Sequence, residues 1–239
     1  MLGVKRKMTE PKYRHELKYI ISQAEYEILK LRLSRITELD SHVMETGKYN
    51  IRSLYFDDYY DRYFYENLSG TDPREKFRIR IYNHDSSRIS LECKRKERGK
   101  TLKTACLITK EQCERIMKGD YLSDFNEQPG VMRKLTNEMR LHNLKPVVIV
   151  EYERIPYVYK QGNVRITLDS NISSSQSINN FFDAVIPKRP VLPTGMQLLE
   201  VKYDEFLPDF IYQSLQLENL QQTAFSKYFL CRQYNMGKN

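Results

Sequence analysis

Five segments of the chain alternate charged and apolar residues with period two, the spacing that sends successive side chains to opposite faces of a β-strand. In "KFRIRIY", Arg78 and Arg80 oppose Phe77, Ile79 and Ile81. In "YRHELKY", Arg14, Glu16 and Lys18 alternate with Leu17 and Tyr19, and in "SLECKRK", Glu92, Lys94 and Lys96 oppose Leu91 and Cys93. "VRITLD" sets Arg165, Thr167 and Asp169 against Val164, Ile166 and Leu168. "LLEVKY" sets Glu200 and Lys202 against Leu199, Val201 and Tyr203. Further strands are predicted over "NIRSLYFDD", "GKTLKTACLI" and "KPVVIVEYERIPYVY", with hairpin turns at "NHDSS" and "KQGN".

Helices are announced by their caps. Ser22 with Glu25, and Thr109 with Gln112, form capping boxes that open "QAEYEILKLRLSRITEL" and "EQCERIMKGDYL". In the first helix Ala24, Ile28, Leu31 and the Leu33 to Ile36 region give an apolar face at helical spacing. Other helices are expected over "DRYFYENLSG", from about Val131 to Asn143, from Pro208 to about Leu220, and over "SKYFLCRQYN". Residues 173–197 have loop composition, with Phe181, Phe182, Val185 and Ile186 expected to pack. Residues 1–11 read as a flexible basic tail and 12–239 as one domain. The class is α+β, with a largely antiparallel sheet.

Charge changes the picture. With 39 Lys and Arg against 31 Asp and Glu the chain carries +8, which favours an anionic partner: nucleic acid, nucleotide, phosphate polymer or membrane surface. Four cysteines without CxxC spacing read as reduced thiols of a cytoplasmic protein. "MLGVKRKMTEPK" lacks the apolar core of a secretory signal, and no apolar run approaches the roughly 20 residues of a spanning helix. A membrane-bound partner is left open.

A merely wet sheet face carries Thr, Ser, Gln and mixed-sign pairs. Here basic doublets recur, with isolated glutamates two positions from lysines. If the sheet closes into a barrel, those faces line a lumen and the apolar faces lie outward beneath the helices. Such a lumen suits a polyanion with a divalent cation held through carboxylate oxygens. A closed lumen excludes a nucleic-acid duplex, and no RNP, helix-turn-helix or KH signature is visible.

"RHELKY", "RSLYFD", "KFRIRIY", "LECKRK", "VEYER", "VRITLD", "LEVKY" and "FSKY" occur in this order between about Tyr13 and Tyr234. In that ordered set the chain resembles the VTC domain, the polyphosphate polymerase module of the vacuolar transporter chaperone complex, which has bacterial relatives. The domain belongs to the triphosphate tunnel metalloenzyme (CYTH-like) superfamily. The resemblance implies an antiparallel barrel or tunnel with helices packed outside and a C-terminal helix. It implies transfer of the terminal phosphoryl group of ATP to a growing polyphosphate, assisted by Mn²⁺ or Mg²⁺. By the same resemblance Lys18, Arg78, Arg80, Lys94, Arg154, Arg165 and Lys227 are expected to act on the transferring phosphate. Lys96, Lys103, Lys202 and Ser226 are expected to hold substrate, and Glu200 to bind metal.

The residues leave several roles open. Glu16 and Glu92 are either second metal ligands or internal partners of Lys18 and Lys94, the partner role being favoured. Glu151 and Arg154 have opposite parity and share a face only across a bulge. Arg52 opposes Ser53, Tyr55 and Asp57, and the lumen takes one set or the other. His15 and His42 read as structural, and the tyrosines of "DDYYDRYFYENL" as core. Three functions fit: the polymerase, a hydrolase or cyclase of the same superfamily, and a non-catalytic polyphosphate or inositol-phosphate receptor. The hydrolases typically carry a glutamate where this chain has Arg14, which argues against hydrolysis.

Overall fold

The computed structural model describes residues 12–41, 43, 46–120, 128–217 and 220–236; the predicted basic tail and His42 lie outside the described residues. In chain order the elements are β1 (His15–Ser22), α1 (Gln23–Ile36), β2 (Glu38–Leu39), β3 (Tyr49–Asp57), α2 (Arg62–Leu68) and β4 (Arg74–Tyr82). There follow β5 (Asp85–Glu97), β6 (Lys100–Ile108), α3 (Lys110–Lys118), α4 (Gly130–His142), β7 (Lys145–Tyr159) and β8 (Val164–Ser175). The last are β9 (Arg189–Pro190), β10 (Met196–Tyr203), α5 (Asp209–Leu215) and α6 (Lys227–Asn235). Both capping boxes form as the sequence predicts.

One antiparallel sheet runs in the order β1-β10-β8-β7-β3-β4-β5-β6, with β2 and β9 attached at β7 and β8. It curls until its two end strands meet. The seam is a single bridge in which Arg14 and Thr101 exchange backbone hydrogen bonds of 2.9 and 3.0 Å. Beyond that bridge the open edge of β1 is covered by the segment before α6. There Tyr19 bridges Gln222, and the Thr223 N–H donates to the Lys18 carbonyl at 2.8 Å. Covering an edge in this way removes a template for aggregation.

The apolar faces point outward, as the alternation predicts, into two clusters. Ile21, Ile166, Leu168, Leu199 and Val201 pack with Leu29, Leu33 and Ile211 of α1 and α5. Phe77, Ile79, Ile81 and Leu91 pack with Phe64, Leu135, Met139 and Cys231 of α2, α4 and α6. The chain reverses between β4 and β5 through only Asn83 and His84, both in the left-handed region, so the hairpin is tighter than "NHDSS" suggests. Between β7 and β8, Gly162 has φ +73°, and a Cβ there would meet the Phe206 carbonyl oxygen at 2.6 Å. Only glycine lets this hairpin lie against the chain leaving β10.

Several expectations are corrected. Helix α1 buries Tyr26, Leu29 and Leu33 and exposes Ile28 and Leu31, because its apolar residues occupy two faces and the sheet takes the one with the aromatic. Helix α5 ends at Leu215, where Gln216 turns extended and the chain heads toward β1. Strand β8 claims Ser173–Ser175 from the predicted loop, in which Phe181 and Ile186 pack while Val185 is exposed. Tyr63 joins the core, but Tyr59 and Tyr60 are exposed.

Candidate functional site

The charged faces enclose a cavity of about 1640 Å³. Lys18, Arg78, Arg80, Lys94, Lys96, Lys103, Arg154, Arg165, Lys202, Ser226, Lys227, Glu16 and Glu200 all line it, whereas Glu92 lies buried behind the cations. Register decides their partners. Arg78 stands directly opposite Glu92 on β5, with Nε and Nη2 at 2.7 and 2.6 Å from its Oε2. Arg78 Nη1 also donates to the Tyr55 hydroxyl at 2.9 Å, and Arg80 Nε to Ser53 Oγ at 3.1 Å. Ser53 and Tyr55 therefore face the lumen.

Arg52 takes the other side. It is fully buried, donating to Glu151 at 2.5 Å and to the carbonyls of Phe181 and Asp183 at 2.9 and 2.5 Å. Lys188 joins Glu151 as well. The irregularity between β7 and β8 adds its extra residue to β8, near left-handed Asn171, so Glu151 and Arg154 stay on opposite faces of β7.

A second cluster forms where β1, β10, β8 and β7 meet α6. Arg154 grips Asp169 through two hydrogen bonds of 2.6 and 2.7 Å, and Lys227 Nζ lies 2.6 Å from Asp169 Oδ2. The Arg154 guanidinium and the Lys227 ammonium both sit on the Tyr152 ring, at 5.2 and 4.7 Å from its centroid. Ser226 is the N-cap of α6, its hydroxyl oxygen accepting from the Phe229 N–H at 3.3 Å. Glu200 lies 3.0 Å from Lys202, 3.4 Å from Arg154 and 3.6 Å from Lys18. Arg165 stands apart near the rim, pairing with Asp40 and the Tyr49 hydroxyl, both at 3.0 Å.

Both glutamates left open by the sequence form ion pairs: Glu16 lies 3.7 Å from Lys18 as anticipated, whereas Glu92 has other partners. Glu92 pairs with Arg78 and Lys103 rather than Lys94, because the register sets Lys94 opposite Lys76 and Lys103. Lys94 instead reaches across the seam to Glu16, at 2.7 and 3.0 Å.

Burial acts on every one of these groups, and the neighbouring charges decide the outcome. Burial pushes the Glu16 carboxyl up, but Lys94, Lys18 and Lys202 outweigh it and hold the group at about 2. Burial likewise raises Glu200 and Glu92, yet Lys202, Lys18 and Lys227 in one case and Arg78, Arg80 and Lys103 in the other keep both well below the carboxylate range. For Lys94, burial and the nearby Lys18 and Lys202 win over Glu16, and the ammonium is lowered to about 7. All four thiols are free, and burial raises them to between about 11 and about 12.

Sequence reasoning overlooked Lys76, Tyr152 and Asp169 as site residues. Each carried a usable signal: Lys76 shares parity with Arg78, Tyr152 with Arg154, and Asp169 with Arg165. Among the described residues no group of three or more His, Cys, Asp or Glu side chains is placed to hold a metal. Glu16 and Glu200 both line the lumen, and the Glu200 charge acts on the Glu16 carboxyl.

The curled antiparallel sheet, with its helices outside, thus encloses a lumen lined by paired cations. The chain belongs to the VTC domain family, whose profile it matches over residues 13–235. Among solved structures it is similar to HpAC1 from Hippeastrum, a candidate adenylyl cyclase described as having a dominant triphosphatase activity. That match has 15% identity and a TM-score of 0.56, covering 93% of this chain and 96% of the other. A similarity to PH1819 from Pyrococcus horikoshii OT3 has 17% identity and a TM-score of 0.49, covering 95% and 100%. No curated protein matches the chain at a significant level.

Proposed function

We propose that this chain is a polyphosphate polymerase that passes the terminal phosphoryl group of ATP to the end of a phosphate chain, releasing ADP. The observation that carries the reading is the convergence of Lys18, Arg78, Arg80, Lys94, Arg154, Lys202 and Lys227 on one cavity of about 1640 Å³. Phosphoryl transfer asks little covalent chemistry of a protein. It needs in-line positioning and stabilisation of charge on the transferring oxygens. Arg78, Arg80 and Arg154 present planar donor forks, each already oriented by a hydroxyl or carboxylate. Lys18, Lys202 and Lys227 add ammonium groups that exchange a carboxylate for a phosphate oxygen when substrate enters.

Glu200 and Glu16 fit a divalent cation. They are ionised, hard oxygen donors facing the cavity, and Mg²⁺ or Mn²⁺ is commonly held by one or two carboxylates together with substrate phosphates. When bound, such an ion would neutralise charge on the phosphate oxygens. Glu200 and Glu16 would hold the ion, and Lys18, Lys94 and Lys202 line the same cavity facing the substrate phosphates.

Hydrolysis of a triphosphate is the second reading, supported by the activity described for the Hippeastrum relative. Incubation with ATP and Mn²⁺, with products resolved by gel and phosphorus NMR, separates the two. A polymer ladder with internal-phosphate signals is expected, lost in Glu200→Ala and in Arg78→Ala with Arg80→Ala. Orthophosphate as sole product makes the protein a hydrolase. Tripolyphosphate binding without turnover makes it a receptor. No helix among the described residues is long and apolar enough to cross a membrane.

A further inference from the structure

The cavity is not evenly neutralised. In its centre each cation has a carboxylate: Glu92 serves Arg78 and Lys103, Asp169 serves Arg154 and Lys227, and Glu16 and Glu200 serve Lys18, Lys94 and Lys202. At the end where β4 begins and β5 finishes, the pattern breaks. Arg74, Lys76 and Lys96 line the cavity there, with Arg74 directly opposite Lys96 and Lys76 opposite Lys94. None of the three forms an ion pair among the described residues. Asp72, the acid beside them, accepts the Arg98 N–H at 2.9 Å and acts on Lys96 without forming an ion pair with it.

Lys76 is the most telling of the three. Its ammonium is held by Asn67 Oδ1 at 2.6 Å and lies 4.8 Å from the centre of the Tyr228 ring. Tyr228 is itself fixed by a hydrogen bond to Asp57, which also accepts the N–H groups of Tyr63 and Phe64. The seat is therefore rigid, built from three elements, and supplies orientation without neutralising charge. Burial and the cations Arg74, Lys94 and Lys18 lower the Lys76 ammonium well below the usual lysine value. A cation kept in such surroundings with no carboxylate is stabilised when an anion arrives.

The four cations Arg74, Lys76, Arg78 and Arg80 occupy alternate positions on one face of β4. At roughly 3.3 Å per residue the ladder runs for about 20 Å. A triphosphate, three compact groups joined by single bridging oxygens, reaches only part of it. A longer chain bound at Arg78 and Arg80 runs on past Lys76 to Arg74 and Lys96. The rim at that end includes Gly70 and Gly99, which place no side chain across the path.

We propose that Arg74, Lys76 and Lys96 form a separate subsite that selects for phosphate chains longer than a triphosphate. The subsite rests on the reading that the cavity takes linear phosphates, and it adds a length preference to that reading. It is a binding subsite. The residues beside Arg154 and Glu200 remain the place of transfer.

The test compares tripolyphosphate with long-chain inorganic polyphosphate, each titrated calorimetrically without metal into the full chain and into Arg74→Gln and Lys76→Met. Each variant is expected to lose about tenfold in affinity for the long chain, the scale of one charge-assisted contact, while tripolyphosphate binding changes by less than about twofold. Lys76→Met is also expected to raise the melting temperature, since it removes a buried unneutralised charge. Equal weakening of both ligands places these residues in the transfer site and overturns the proposal, as does no change in either. A lower melting temperature with unchanged long-chain binding makes Lys76 a packing residue and also overturns it. These readouts need no turnover. A protein that makes no polymer yet shows the length-dependent loss keeps the subsite and discards the polymerase, and the reverse result does the opposite.

Discussion

Strand β7 carries two buried arginine–carboxylate pairs, one on each side. On the outer side Arg52 and Glu151 are sealed under the 176–190 segment, with two backbone carbonyls also accepting from the arginine. On the inner side Arg154 and Asp169 make a geometrically better, two-bond pair, but Lys227, Glu200 and a large cavity lie against it. Chemically the pairs are alike. The outer one has its partners supplied by the fold and does not reach the cavity, so it is a clamp. The inner one opens on the cavity, where Lys18, Lys202 and Lys227 stand beside it, so its charges are within reach of a ligand. What separates the two pairs is access to the cavity rather than their chemistry or their burial.

Breaking one member of each pair tests that distinction. Arg52→Ala leaves Glu151 with the half-exposed Lys188 and with His84 at 3.5 Å, and is expected to destabilise the fold by about 3–5 kcal/mol in urea unfolding. Tripolyphosphate affinity of the folded protein should hold. Arg154→Ala should show the reverse balance, with turnover falling about 10²–10³-fold. Its loss of stability is expected to be smaller than that of Arg52→Ala, because Asp169 keeps Lys227. If the two variants exchange these behaviours, the assignment of inside and outside fails.

Lys94 sharpens the comparison through pH. Between about 7, its value in the folded protein, and the ordinary lysine value of 10.5, the unfolded chain holds a proton that the folded chain lacks. Stability contributed by this group therefore rises with pH across that window. A bound polyphosphate favours the charged ammonium, so binding at pH 8 should take up protons, seen as a buffer-dependent heat. The effect should vanish in Lys94→Met. The smallest effect expected is at Ser226, where Ser226→Ala removes the α6 cap and costs about 1 kcal/mol. A loss of turnover beyond that would mean that the hydroxyl also touches phosphate.

Much of this was legible along the chain, because strand parity is a local property. The alternation in "KFRIRIY" was enough to send Arg78 and Arg80 inward and Ile79 outward. Parity also held the overlooked Lys76, Tyr152 and Asp169, which were passed over for want of a second signal. The partners were not legible. Whether Glu92 meets Lys94 or Arg78 depends on the β4–β5 register, and whether Lys94 finds Glu16 depends on closure of the seam, both relations between distant segments. In α1 the period was read correctly and the face was not, since a helix with apolar residues on two sides is oriented by the sheet beneath it.

The seam between Arg14 and Thr101 has a topological consequence. A polymer threaded through an unbroken ring is a rotaxane: it escapes only by sliding off an end, however long it has grown. This ring is fastened by two backbone hydrogen bonds and a strap over the neighbouring edge, so it is a clasp. A disulfide stitched across that clasp would make the ring covalent, so that any chain inside it could leave only by an end.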